Sequence, residues 1–402
     1  MKFLFNDDSF SFETLRATGF AVDGGVDLSD VIVTTNKIPE GDENAWRIEW
    51  TKTADRIYLL GMQSYQKGHK VSAREAFFRA SNYYRLSEFY LRVDAFNDPN
   101  MLPLSRLSRE TFIKGAQLLP TPFEQVYVPY EDTSLPAYFF SVDGSGSRRP
   151  TIVYNNGFDS TKEEAYFVIV AAALRRGYNV LAFDGPGAGS AIREDHIFYR
   201  NDWETVITPV LDYVISRADV DAEKITLFGY SLGGYQVARA SAFDKRAAAI
   251  ILNNGMHDFL ECNTIGLPQY LKDWYKAGRD EEFNTIVETL MAKNTGLRWA
   301  LNNGKWTYNT KTVSEYLRKI EDHKLEGLAQ NITAAALILE AESDKFLQGQ
   351  SEKLQQWMTS SNTTLVKMTD GEGAGEHCSE GAMLRLQQVM FDWLDELLSN
   401  NS

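Results

Sequence analysis

From Thr151 onward, short continuous apolar runs alternate with stretches of helical pattern. "TIVYNNG", "YNVLAFDGPG", "ITLFGYS", "AAAIILNNG", "AALILEAESD" and "TLVKMTDGEG" each read as a strand. "STKEEAYFVIVAAALRRG" and "DWETVITPVLDYVISR" read as helices between them, and a final helix carries Leu386, Val389, Met390, Trp393, Leu394 and Leu397 on one side. A strand without polar alternation has both faces to bury, and helical crossovers supply the cover. The pattern therefore predicts an α/β fold, a mostly parallel sheet with helices on both faces. Ser160 and Glu163 stand at capping-box spacing ahead of the first of these helices, and Gly177 stands where it should end.

The N-terminal part has another character. Residues 1–118 read as helical throughout. In "VSAREAFFRASNYYRLSEFYL", Ser72 and Glu75 suggest a second capping box, and Ala73, Phe77, Ala80, Tyr84 and Leu91 recur at helical intervals. Such a stripe is core unless some of its rings face a cavity. Pro120 and Pro122 stop the last helix, and β-rich sequence begins. We therefore expect a helical domain over 1–118 and an α/β domain over 119–402. The strand rhythm lapses between "NNGMHDF" and "ITAAALILE", which marks a helical cap insertion at about 259–330. Trp274, Trp299 and Trp306 lie in it. An insertion there is expected over the carboxyl ends of the strands, where such sheets bind ligands. Its tryptophans either line an entrance or fasten the insert.

The bulk numbers exclude some classes. A net charge of −14 with no clustered Lys or Arg argues against nucleic acid and anionic membranes as partners. The opening "MKFLFNDDSF" loses its apolar run at Asn6, too early for a signal peptide, and no run is long enough to span a bilayer. Two cysteines, Cys262 and Cys378, make no disulfide framework, so a cytoplasmic setting is expected. No His, Cys and carboxylate group has metal-ligand spacing, so neither metal nor cofactor is expected. "FDGPGAGS" lacks a P-loop lysine and the G-x-G-x-x-G spacing, and reads as loop architecture.

One motif carries chemistry. Gly229-Tyr230-Ser231-Leu232-Gly233 is G-x-S-x-G between a predicted strand and a predicted helix. The sharp turn strains the serine backbone, so its neighbours two residues away must be small, and it lifts the hydroxyl above the sheet edge. A serine needs a base to become a nucleophile, and at such a turn acid and histidine follow it in chain order. His377 in "DGEGAGEHCSEG", between the last strand and the final helix, is the base expected from the five histidines. His69 and His323 are expected at the surface, and His196 and His257 follow strand ends. Asp344, just beyond "LILEAES", is the favoured acid, with Glu340, Glu342 and Asp258 as alternatives. The backbone N–H groups of Leu232 and of Phe158, after Gly157 in "NNGFDSTKEE", are the candidate oxyanion donors. Tyr230, Asp159 and His257 are candidates for touching substrate. Cys378, beside the base, reads as packing.

"NNGFDSTKEE", "FDGPGAGSAIRE", "DWETVITPVLDYV", "GYSLGGY" and "GAGEHC" together resemble the α/β-hydrolases that carry a helical N-terminal domain. That group includes 2,6-dihydroxypseudooxynicotine hydrolase, the fungal polyketide-shortening hydrolases of pigment pathways and the hydrolase-like proteins of fusarin-type clusters. "KIPEGDENAW" and "SAREAFFRASNYYR" extend the resemblance over nearly the whole chain. It implies an α/β-hydrolase fold, a Ser231, Asp344, His377 triad under a helical roof, and a dimer through the N-terminal helices. Several members cleave a carbon–carbon bond beside a ketone. The expected substrate is then a bulky apolar small molecule, an acylated aromatic or polyketide-like compound. A carboxylesterase or lactonase, or an intramolecular acyl transferase, would use the same machinery. An inactive binding protein is disfavoured by the complete set of triad residues, and a peptidase by the lack of a propeller-like strand repeat.

Overall fold

The computed structural model describes residues 1–399. Eight strands form one sheet in the order β1-β2-β4-β3-β5-β6-β7-β8. They are β1 (Phe123–Tyr130), β2 (Thr133–Phe140), β3 (Arg149–Asn155), β4 (Asn179–Phe183), β5 (Val220–Tyr230), β6 (Ala249–Asn253), β7 (Ala335–Ala341) and β8 (Thr363–Met368). β1 and β2 form an antiparallel hairpin whose second strand runs antiparallel to β4. All other pairings are parallel. One row shows why the central strands carry no polar alternation. Leu181, Val153, Leu227, Ile250 and Ala336 lie side by side across β4, β3, β5, β6 and β7, and each is within 1% of full burial.

The chain divides into two compact units. One holds the sheet, from residues 121–269 and from 317 onward. The other combines residues 1–120 with 270–316, so the middle of the insertion belongs with the N-terminal helices. Those helices are Asp8–Gly19, Leu28–Thr35, Glu43–Gln66, Lys70–Glu88 and Met101–Ala116. The cluster of Phe10, Trp46, Trp50, Tyr83, Phe89 and Tyr90 forms their core, and Trp299 of the insertion packs on it. Trp299 stacks on Phe89 at 4.6 Å and donates its Nε1–H to the Phe89 carbonyl at 2.9 Å. Arg92, buried and paired with Glu88, donates to Asn303 at 3.0 Å and lies over the Trp306 ring. Trp274 packs against Tyr270 and Arg279. These tryptophans fasten the insertion within its own unit.

Three local expectations fail. The helix Lys70–Glu88 starts at His69, after the left-handed turn of Gly68, so Ser72 is already inside it and caps nothing. The residues after Ser160 form a turn and then a π-helical stretch, Tyr166–Val170, before the α-helix Ala171–Arg175. Ser160 Oγ accepts the Gly157 N–H, and Glu163 serves Tyr138 and Lys162, so the capping box expected of Ser160 and Glu163 is spent on loop contacts. His323 is buried, with its ring stacked on Tyr235 at 5.8 Å. Burial, helped by the positive charge of Arg239, pushes its pKa down to about 3. No helix among the described residues is long and apolar enough to cross a membrane.

Candidate active site

Ser231 stands between β5 and the helix Leu232–Phe243, with φ 56° and ψ −119°. An L-residue rarely holds such a backbone, at a cost of about 1–3 kcal/mol, and the surroundings fix it here. A Cβ on Gly229 would lie 2.2 Å from the Gly233 carbonyl oxygen, and one on Gly233 would lie 2.6 Å from the carbonyl oxygens of Asn155 and Asn156. Only hydrogen fits at either place. The Ser231 N–H is anchored on the Asn253 carbonyl at the end of β6, at 2.5 Å.

His377 lies in a short turn between β8 and the helix Met383–Ser399, and Cys378 and Ser379 after it both take positive φ, 55° and 57°. That turn aims the imidazole. Its Nε2 is 2.8 Å from Ser231 Oγ, and its Nδ1–H donates to Asp344 Oδ2 at 2.7 Å. Asp344 follows β7 and is buried. Its Oδ1 accepts the backbone N–H groups of Phe346 and Leu347 at 2.8 and 2.9 Å. Burial alone would raise this carboxyl, but His377 and the two N–H donors overcome it and hold the group below the ordinary carboxylate value. Burial likewise works against a charged His377, and the facing Asp344 outweighs it, so the imidazole pKa lies well above 6.5. Serine, histidine and carboxylate thus form one continuous hydrogen-bonded row.

The loop after β3 approaches the same serine. A Cβ on Gly157 would meet the Tyr230 carbonyl at 2.7 Å and Ser231 Cβ at 3.0 Å. Phe158 follows that glycine in the loop, and Leu232 opens the helix, where backbone N–H groups lack intrahelical acceptors. The loop is held from several sides. Tyr199 donates its hydroxyl to the Gly157 carbonyl, and Asn156 Nδ2 donates to Asp184 at 2.9 Å. Lys162 Nζ reaches Asp184 at 2.7 Å and Ser190 Oγ at 2.9 Å, all buried. The glycine-rich turn "FDGPGAGS" wraps that carboxylate. A Cβ on Gly189 would strike it at 2.0 Å, and the Ser190 N–H donates to it. Burial raises the Asp184 carboxyl, and the lysine more than reverses this.

The tentative substrate contacts are placed less uniformly. Tyr230 is buried in the sheet with its ring 6.1 Å from Tyr154, and Asp159 is half-buried in the loop beside Phe158. His257 is buried edge-on against Trp357 and 3.6 Å from Glu261, with its pKa lowered by burial and by Lys353. It makes no hydrogen bond to the serine row. Of the alternative acids, Asp258 caps the helix Phe259–Thr264 and Glu342 accepts the Asp370 N–H. Glu340 lies on β7, its carboxyl raised by burial. Phe346 sets its ring edge-on to His377 at 5.0 Å, and the rings of Phe158 and Phe259 meet each other at 5.6 Å.

Sequence reasoning missed the asparagine pair closing β6, which it read only as strand. Asn253 offers its carbonyl to Ser231 N–H and also to the Cys378 thiol at 3.2 Å, while its Nδ2 donates to the Cys378 carbonyl at 3.4 Å. Asn254 Nδ2 donates to Asp344 Oδ2 at 2.8 Å. Cys378 is more than packing, since its Sγ also lies 3.4 Å from His377 Nε2. The available signal was two amides at a strand end, beside the strand that leads to the serine.

Comparison with known proteins follows the same lines. The family described as the alpha/beta hydrolase fold matches residues 150–372. Hydrolase LUC6 of a Fusarium species is 33% identical over 98% of this chain and 97% of its own length. The 20-hydroxy-prefusarin hydrolase FUS2 of Gibberella moniliformis is 32% identical over 98% and 97%. Among solved structures, a 2,6-dihydroxy-pseudo-oxynicotine hydrolase superposes with a TM-score of 0.76 over 96% of both chains, at 21% identity. That likeness is one of fold.

Proposed function

The chain belongs to the alpha/beta hydrolase fold family, and on that premise we propose that it cleaves a carbon–carbon bond beside a ketone through an acyl-enzyme on Ser231. The observation that carries this reading is the row of 2.8 and 2.7 Å from Ser231 through His377 to Asp344. Ser231 Oγ attacks the ketone carbon and passes its proton to His377 Nε2. Asp344 holds the imidazole in the tautomer that accepts at Nε2 and stabilises the imidazolium. The N–H groups of Leu232 and Phe158 receive the oxyanion. As the tetrahedral adduct collapses, the carbon–carbon bond breaks and its electron pair leaves as an enolate or phenol-conjugated carbanion. His377 returns the proton to that carbon. Water then gives a proton to His377 and its hydroxide to the acyl carbon, and Ser231 departs with the proton as a carboxylic acid is released.

The substrate class is an acylated aromatic or polyketide-like small molecule of secondary metabolism. The ring of Phe346 on His377 and the Phe158–Phe259 ring pair support an apolar substrate, and a relative named for 20-hydroxy-prefusarin supports a polyketide-like one. The test is intact mass spectrometry after a fluorophosphonate probe, followed by turnover of acyl-phenol ketones against aryl esters. We expect one adduct on the wild type, none on Ser231→Ala or His377→Ala, and turnover of the ketones. An unlabelled wild type would overturn the serine mechanism. Brisk ester turnover with inert ketones would make the enzyme an ester hydrolase.

A further inference from the structure

Asp344 Oδ2 accepts two hydrogen bonds, and only one comes from the base. The Nδ1–H of His377 donates from one side at 2.7 Å and the Asn254 amide from the other at 2.8 Å. With Phe346 and Leu347 on Oδ1, the carboxylate receives four donors, and Asn254 is the only side chain among them besides the base. The amide can face Asp344 only through Nδ2, because Oδ1 would set two acceptors against each other. Its Oδ1 then stays buried with no hydrogen-bond partner. Burying an amide oxygen this way is unfavourable. A leucine would fill much the same space without that cost, so packing alone does not account for an asparagine here. Asn254 is also tied to the nucleophile by the chain itself. The preceding carbonyl, that of Asn253, accepts the Ser231 N–H, and a Cβ on Gly234 would press on the Asn254 carbonyl at 2.1 Å.

We propose that Asn254 is a positioning residue for the acid–base pair, fixing Asp344 Oδ2 toward His377 and keeping the carboxylate ionised. This rests on the reading of Ser231, His377 and Asp344 as catalytic. The Asn254 side chain makes its hydrogen bond to Asp344 and none to Ser231, so it acts through Asp344. A hydrogen bond to a carboxylate favours its charged form. The second donor also removes the rotational freedom of a carboxylate that would otherwise meet the base in several orientations.

The test compares wild type, Asn254→Leu and Asn254→Asp by the rate of fluorophosphonate labelling of Ser231 between pH 5 and 10. Each variant is checked for folding by circular dichroism. Asn254→Leu should label about tenfold to a hundredfold more slowly, the loss that one hydrogen bond to a charged group represents. Asn254→Asp sets two carboxylates within hydrogen-bonding distance, which cannot both ionise without repulsion. It should label well while the pair shares a proton and lose rate at high pH, a descending limb that the wild type lacks. Because it keeps the side chain's shape, it stands in should Asn254→Leu not fold. Labelling of Asn254→Leu at the wild-type rate, or an Asn254→Asp profile without the alkaline limb, would overturn the proposal. A second readout does not depend on the hydrolase reading: the far-downfield proton resonance of His377 Nδ1–H. It should shift or broaden in Asn254→Leu, and an unmoved resonance would count against Asn254 even in a protein that labels nothing.

Discussion

At Ser231 the backbone angle, and not the side chain, is the demanding feature. The turn exists because Gly229 and Gly233 leave room for a carbonyl where any Cβ would collide. Gly229→Ala should therefore cost at least about 1–3 kcal/mol, read as a fall in the urea midpoint, and should abolish serine labelling in whatever protein folds. A variant as stable as wild type would mean that the turn relaxes freely. The base makes a different prediction. On the proposed mechanism His377 accepts the serine proton only when neutral, and the facing Asp344 holds its pKa well above 6.5. The rate of serine labelling should thus climb with pH through a value above 6.5. In Asp344→Asn the opposing charge is gone while burial remains, so the limb should move down in pH. Turnover should also fall about 10⁴-fold, because the amide no longer selects the productive tautomer. An acidic limb that stays in place would show that Asp344 is not the group holding the proton on His377.

At the scale of elements, the loop after β3 depends on a buried ion pair. Lys162 and Asp184 are both buried and paired at 2.7 Å. Removing one partner strands the other, which costs about 3–5 kcal/mol. Lys162→Met should lower the unfolding midpoint accordingly, while Lys162→Met with Asp184→Asn should cost less than the two single changes added together. Full additivity would deny the coupling. The same elements show what a sequence reveals. The central strands from β3 to β7 were legible because a doubly covered strand is apolar where it is buried, and Ser231 because its motif lies where one of them becomes a helix. His377 and Asp344 were legible from chain order. The capping boxes misled because Ser160 and Glu163 have the right spacing, but a nearer claimant, the Gly157 N–H, takes the hydroxyl. The insertion that carries Trp299 was legible as helical because the strand rhythm lapses there. Its partner was not, because a period says which face is apolar and never what covers it. Asn254 was illegible for a related reason, since its importance depends on Asp344, ninety residues away.

Across the whole molecule, acid stability should bear the mark of one buried histidine. His323 was expected at the surface because it lies in the inserted region, yet its ring lies against Tyr235 and Phe259 with its pKa pushed down to about 3. In the unfolded chain the same imidazole titrates near 6.5. Above that pH both states hold it neutral, and it contributes nothing to the pH dependence. Between 6.5 and about 3 the unfolded state binds a proton that the folded state refuses, so stability declines as pH falls, by about 1.4 kcal/mol per pH unit. His257, its pKa also lowered by burial, adds a loss of the same sign below 6.5, and Asp344 and Asp184, both held low by their partners, add more at still lower pH, so the wild-type curve alone does not isolate His323. The difference between wild type and His323→Gln does. The glutamine carries no titratable group, and its stability between pH 6.5 and 4.5 should fall less steeply than that of wild type by one proton's slope. Urea midpoints at four or five pH values would measure this. Parallel curves would mean that His323 accepts its proton in the folded state, through an opening of the packing around Tyr235 and Phe259 that admits water to the ring.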